Sequence, residues 1–439
     1  MRTVRGWLRD TTGGLPATFW YLWGGTLINR LGSFVLIFLA IYLTQARGFS
    51  EFQAGLVIGL WGAGGAVGTL AGGVLADRWG RRPMLFTAHL GAAAMMVALG
   101  LANDLRLIAA GALLLGMFAE AARPAFSAMM IDVVPERDRL RAFSLNYWAI
   151  NLGFACAAVL AGFAAEASYL LLFGVNAATT LITATVIFAL VGETRPASAR
   201  QHHGGVAGTA PAPTGGHGLS TVLRDRVFLG FVGLNVLVAL IFLQHLSMLP
   251  IAMGQDGLAP TTYGWVIALN GVLIVAGQLF VPRLIRGRSR SHVLALAALI
   301  TGIGFGLTAV ADVAWLYAAT VLVWTVGEML QSPSNSTLIA ELSPAAVRGR
   351  YQGVFSLSWS LAGMAAPVAG GFVREHAGNS ALWLGCAAIG AFVAVAHLAS
   401  GPARERRAVE LRPQEFTASP QPPAPAASAA SAADLTSVP

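Results

Sequence analysis

Lysine is absent from all 439 residues, so each of the 28 basic side chains is an arginine. That excludes a P-loop, which needs its phosphate-binding lysine, and with it ATP hydrolysis by this chain as an energy source. Charge of either sign is scarce: Asp, Glu, Lys and Arg together make 11% of the chain, against about 25% in soluble domains. With 56% hydrophobic residues, an ordinary soluble globule is excluded as well. Only two cysteines occur, Cys156 and Cys386, both inside apolar stretches, which argues against a disulfide framework and for a packing role. No HExxH, GxSxG or comparable signature is present, so the chain does not read as an enzyme. His202, His203 and His217 lack the spacing of a built metal site, and neither metal nor cofactor is expected.

What is present is a series of apolar runs of about 20 residues or more, the length at which a helix crosses a bilayer. Polar breaks divide them into about twelve spans, roughly 17–45, 51–77, 83–102, 106–132, 140–165, 168–191, 227–252, 261–285, 292–311, 313–340, 350–373 and 380–400. Gly64, Gly68 and Gly72 recur every four residues in the second, which suits close approach to a neighbouring helix. With the N-terminus in the cytoplasm, only Arg47, Arg106 and Arg374 fall outside; Arg30 and Arg123 lie within spans, and the other arginines cluster in cytoplasmic loops and ends. That asymmetry is the positive-inside rule; an even number of spans then puts both termini in the cytoplasm of a multi-pass cell-membrane protein. The net charge of +8 thus reflects topology, and nucleic acid is not an expected partner. The basic start runs into a first span too long for a signal peptide, so that helix is expected to be retained.

Residues 72–85, GGVLADRWGRRPML, concentrate charge between the second and third spans. The spacing Gly73, Leu75, Asp77-Arg78, Gly80-Arg81-Arg82 resembles the cytoplasmic loop signature of the major facilitator superfamily. An internal repeat supports the resemblance. At an offset of 209, Pro124, Asp132, Pro135, Arg139 and Arg141 are matched by Pro333, Glu341, Pro344, Arg348 and Arg350. The second copy of the loop, VPRLIRGRSR at 281–290, keeps the basic charge and lacks the acid. The resemblance implies an all-α integral membrane fold, twelve transmembrane helices in two pseudo-symmetric six-helix bundles. The divisions are then a cytoplasmic N-terminus (1–16), a bundle (17–191), a cytoplasmic linker (192–226), a second bundle (227–400) and a disordered cytoplasmic tail (401–439).

The resemblance also implies a conformational gate. In the family, the loop aspartate sits against the N-terminus of the eleventh helix, where a carboxylate gains about 0.3–1 kcal/mol, up to ~2 when partly buried. Asp77 matches that residue, and Arg81 and Asp132 match its charge partners; with Gly73, Arg78 and Gly80 they form the candidate gate. The other reading is a loop anchor that fixes topology.

Charges deep in the spans need a different account, because each costs about 2.5–3.5 kcal/mol on insertion scales. They are Arg30, Glu120, Arg123 and Glu328. Glu120 and Arg123 are three apart on one helical face and can pair, whether for structure or for mechanism. Glu328 has no local partner and is the leading proton-coupling candidate, followed by Glu120, with Arg123, Arg30 and His245 in the same set. Substrate-cavity candidates are Asn146, Tyr147, Asn151, Gln244, Asn270, Gln331, Asn335 and Trp359, each also able to bond a neighbouring helix. Together they suggest a mainly apolar cavity with sparse polar groups, suited to amphiphilic organic solutes.

The segments around Arg123-Pro124, 135–141 and 327–336 look most like bacterial drug-efflux members of the family. Those antiporters carry a Gly-Pro motif on the fifth helix, whereas this chain reads NLGFACAAVLAG there and carries GMAAPVAGG on the eleventh. The expectation is a monomeric secondary transporter driven by the proton gradient, exporting small amphiphilic compounds by alternating access within the lipid bilayer. A proton symporter or uniporter importing a nutrient is the alternative, and a non-transporting membrane receptor a remote one.

Overall fold

The computed structural model describes residues 13–194, 219–278, 280–344 and 348–411. Twelve long helices follow one another: α1 (Ala17–Leu31 and Phe34–Ile41), α2 (Glu51–Trp79), α3 (Arg81–Leu101), α4 (Leu105–Val133), α5 (Arg139–Ala167) and α6 (Tyr169–Leu190). The second set is α7 (Arg226–Phe242 and Gln244–Gln255), α8 (Pro260–Gly277), α9 (Arg290–Leu307), α10 (Ala314–Leu342), α11 (Arg348–Ala377) and α12 (Asn379–Ala399). Local chemistry sets several starts. Ser50 and Gln53 form a reciprocal capping box on α2, and Asp104, Ser168 and Asp225 accept from the first free N–H groups of α4, α6 and α7.

Eleven of these elements are long and apolar enough to cross a membrane. α10 is equally long at 29 residues, but Glu328, Gln331, Ser334 and Asn335 interrupt its apolar surface, and it packs between α8 and α9. The described residues contain no strand, as a chain satisfying its backbone hydrogen bonds inside hydrocarbon requires of anything but a barrel.

Four local features refine or correct the sequence reading. The first span is not one continuous helix: α1 breaks at Gly32–Ser33, where the chain presses on Thr179 of α6 and leaves no room for a side chain at Gly32. The freed Val35 N–H donates to Asn176 Oδ1 at 3.1 Å, so the break is satisfied from the neighbouring helix. The seventh span breaks likewise at Leu243 and runs on to Gln255. The eighth helix ends at Gly277 rather than near 285, followed by a separate turn at Val281–Leu284.

The fourth correction concerns the tail. Residues 401–411 form an amphipathic helix, α13 (Gly401–Leu411), where disorder was expected. Arg404, 2% exposed, bonds the His397 ring at 2.8 Å and Ser291 Oγ at 3.0 Å, tying α13 to α12 and α9. Burial pulls its guanidinium down to about 10, so it remains charged at neutral pH. The apolar Ala, Pro and Ser composition that suggested disorder belongs to residues beyond 411, which lie outside the described residues. So does most of the expected linker, 195–218, with His202, His203 and His217.

Candidate functional site

The two helical sets meet along two seams, α2 with α11 and α5 with α8. Glycine makes both possible. Gly55, Gly59 and Gly62 of α2 lie against the backbone of Pro367, Met364 and Gly363, while Gly162, Gly264 and Gly271 do the same between α5 and α8. Gly64, Gly68 and Gly72, the spacing visible in the sequence, face α4 instead and pack the first set internally.

Both seams occupy the end of the molecule away from the arginine-rich loops. Polar groups reinforce that end. Arg374 of α11, 5% exposed, lies 3.7 Å from Glu51 of α2 and donates to Gln255 at 2.6 Å. Gln255 donates in turn to Glu51 at 2.5 Å. The Glu375 carboxylate accepts from the Phe52 N–H at 3.0 Å, and Glu166 of α5 accepts from the Thr261 hydroxyl at 2.6 Å. None of these residues was a candidate site residue from sequence, where Arg374 counted only toward topology, because each pairing joins positions remote in the chain.

At the arginine-rich end the candidate gate residues sit differently. Gly80 has φ +104°, which the loop needs because a side chain there would meet the Glu193 carboxylate. Glu193 accepts from the N–H groups of Arg81 and Arg82, both at 3.1 Å, and so caps α3. Arg81 pairs with Asp132 and donates to the Ala128 carbonyl at 3.2 Å. Arg82 lies 4.2 Å over the Phe188 ring. Gly73 packs beside Pro124 of α4. These contacts lock α2–α3 onto α4 and α6 within one set. Asp77 and Arg78 are exposed, and Asp77 makes no hydrogen bond or ion pair among the described residues. The expected contact of Asp77 with the start of α11 is therefore not formed in this conformation: α2 and α11 touch near Gly59 and part toward Asp77.

Between the seams and the open end lie two polar regions. The first is a cavity of about 470 Å³ among α1–α6 where α1 breaks; Arg30, Glu120, Arg123, Asn146 and Tyr147 line it. Arg123 and Glu120 pair at 2.7 Å. His89, Asn29, Asn176 and Thr180 also line it and were missed; they are single polar residues in apolar helices, a signal shared with many packing positions.

The second region belongs to α7, α8, α10 and α11. Glu328 Oε2 accepts from Asn270 Nδ2 at 2.7 Å, and the same nitrogen lies 3.1 Å from Thr325 Oγ1. Gln331 and Asn335 both donate to Asn235 Oδ1, at 3.4 and 3.1 Å, and Asn235 donates to Ser358 at 2.7 Å. Tyr147 is within electrostatic reach of Glu328 across the two sets. Three candidates face elsewhere. Gln244 bonds the Ala366 carbonyl of α11 at 2.9 Å, Asn151 bonds Tyr147 O of its own helix at 2.9 Å, and buried His245 packs on Phe242 and Trp324 with Nδ1 donating to Phe242 O at 2.6 Å. Trp359 meets Phe242 edge-on at 5.9 Å.

Known proteins are similar to this chain in sequence and in architecture. The family model of the Major Facilitator Superfamily matches residues 22–255 and 242–433. An uncharacterized MFS-type transporter of Bacillus subtilis, YqjV, is 26% identical, covering 80% of this chain and 85% of its own. A Na(+), Li(+), K(+)/H(+) antiporter of Planococcus maritimus is 26% identical over 79% and 86% of the two chains. The multidrug resistance protein MdtH of Escherichia coli is 25% identical over 79% and 83%. Among solved structures, the nucleoside transporter NupG superimposes with TM-score 0.73 at 14% identity, covering 88% of this chain and 99% of NupG. The peptide transporter POT gives TM-score 0.73 at 16% identity, covering 90% and 96%. The chain is a multi-pass membrane transporter that belongs to the Major Facilitator Superfamily.

Proposed function

We propose that this transporter couples proton movement to export of small amphiphilic organic solutes by rocking two six-helix halves, 17–191 and 227–400, about a central site. The observation that carries the reading is the one-ended closure: glycine seams and the Glu51–Arg374–Gln255 cluster join the halves at one end, while polar groups of both halves lie toward the other. With the arginine-rich loops in the cytoplasm, as the positive-inside rule favours, the described conformation opens inward. Asp77 is then the latch of the alternative state, free here and bonded to the start of α11 once the inner end closes. Breaking it biases an equilibrium that a few kcal/mol decide.

Glu328 is the proton carrier in this reading. Its hydrogen-bond partner is an amide, so the carboxyl can gain or lose a proton without abandoning an ion pair, unlike Glu120, which is neutralised by Arg123. The names of two relatives, a multidrug resistance protein and a cation/proton antiporter, agree with efflux coupled to protons. The proton gradient is the energy source.

The test uses purified protein in liposomes with an internal pH dye, an imposed pH gradient and a panel of lipophilic cations, aryl carboxylates, sugars and peptides. Solute-dependent proton movement that disappears in Glu328→Gln is the expected result. Normal coupling in that variant removes Glu328 from the mechanism, and solute equilibration indifferent to the gradient replaces coupled export with uniport.

A further inference from the structure

Three charged side chains line the cavity of the first half, and two of them are arginines. Arg123 is neutralised by Glu120 at 2.7 Å. Arg30 is not. Its guanidinium makes no hydrogen bond or ion pair among the described residues, although the charges of Arg123 and Glu120 act on it from a distance. His89 shares the space, with its Nδ1 donating to the Leu85 carbonyl at 2.7 Å.

An uncompensated arginine within a bilayer is costly, and a guanidinium presents five donors in a planar fork that matches an oxyanion. The same cavity offers apolar surface, with Trp61, Phe118 and Phe126 among its walls. Asn146 of α5 is nine-tenths buried beside it, and its unpartnered Oδ1 is an acceptor that adds nothing to the hold on an anion. The lining has one guanidinium in excess of its carboxylates, so a cation entering would meet repulsion, and a neutral solute would leave Arg30 without a counter-charge.

We infer that the cavity seats an amphiphilic organic anion, its carboxylate or like oxyanion held by Arg30 and its apolar body taken by the aromatic walls. This names a solute class for the transport reading above and rests on that reading only for the solute's being moved. Close packing supports the arrangement: a side chain at Gly153 of α5 would collide with Arg30, so that glycine lets α5 close over the arginine's helix.

Binding to detergent-purified protein tests the inference without any gradient, so failure of proton coupling and failure of this site are separate results. The probes are 4-phenylbutyrate, its primary amide, 4-phenylbutylammonium and acetate, titrated against thermal stability and intrinsic tryptophan fluorescence. Phenylbutyrate is expected to bind at least about tenfold tighter than its amide, as a charge-assisted bond warrants, with acetate and the ammonium weaker still. Arg30→Gln should erase the preference for carboxylate over amide, and Arg30→Lys should keep part of it. Glu120→Gln should strengthen phenylbutyrate binding several-fold by removing the opposing charge, which decides the matter even where Arg30→Gln does not fold. Binding of the ammonium as tight as the carboxylate overturns the inference, as does an unchanged carboxylate preference in Arg30→Gln. Acetate binding as tight as phenylbutyrate overturns the amphiphile and leaves only a small-anion site.

Discussion

The two halves descend through one sequence repeat, yet they treat charge in opposite ways. In the first half, the cavity at the break in α1 holds two arginines and a glutamate. In the second, the corresponding region holds a single carboxyl, Glu328, among amides and hydroxyls. Position 209 after Arg123 is Ser332, and that after Glu120 is Met329. The backbone device is kept: α1 breaks at Gly32–Ser33 and α7 at Leu243, close to the repeat offset. On the functional reading proposed above, the shared scaffold gives one half the binding of a charged group and the other the movement of a proton, so that both events act on the same rocking motion.

The sharpest way to break that contrast is to neutralise each carboxyl in turn. Glu328→Gln should abolish solute-dependent proton movement in liposomes, whereas Glu120→Gln should retain it; equal loss in both would show that the halves share the task. The next effect tests how the halves are held together. Removing one partner of a buried ion pair costs about 3–5 kcal/mol. Arg374→Gln should therefore open the seam end. The readout is a single cysteine at Val368, on a background without Cys156 and Cys386, that becomes reactive to a membrane-impermeant maleimide. No gain in reactivity would assign the closure to the glycine seams alone.

Smaller effects compare the loops. Arg290 stands 209 residues after Arg81 and lies 3.7 Å from Glu341, the counterpart of Asp132. That pair is more exposed than Arg81–Asp132 and lacks the bond to Ala128, so Arg290→Ala should cost under about 1 kcal/mol. Arg81→Ala should lower the melting temperature further, as light scattering or tryptophan fluorescence would record. Last, Gly80→Ala should cost about 1–3 kcal/mol from its positive φ, while Ser289→Ala at the equivalent position, with φ −60°, should be nearly neutral. Equal melting temperatures would mean that the loop at Gly80 readjusts at no cost.

Much of the fold was legible because a helix in hydrocarbon needs a long apolar run, and the polar breaks between runs are abrupt. Even Glu328 and Arg30 stood out, since charge inside such a run is costly. What escaped depends on partners far away in sequence. The α1 break rests on Thr179 and Asn176, 147 and 141 residues distant. Arg374 looked like one of three stray outer arginines, and only the meeting of α2 with α11 shows its role beside Glu51. The tail helix α13 was hidden because Arg404 reads as a solvated charge until His397 and Ser291 receive it. Asp77 shows a different limit: the resemblance implies a partner at the start of α11, and in this conformation that contact is not formed.

The parting of α2 and α11 has a mechanical side. Asp77 stands 18 residues beyond Gly59, about 27 Å of helix at 1.5 Å per residue. On the rocking motion proposed above, the glycine seam is the fulcrum near one tip of that long arm. A tilt of ~20° about it carries Asp77 roughly 9 Å by the same helical length. Motion too slight to unpack the seam thus sweeps the aspartate across a distance that separates bonded from unbonded. The loop aspartate is in that sense a gauge of helix angle, and a methyl group wedged at Gly59 would be read out at the far end of the molecule.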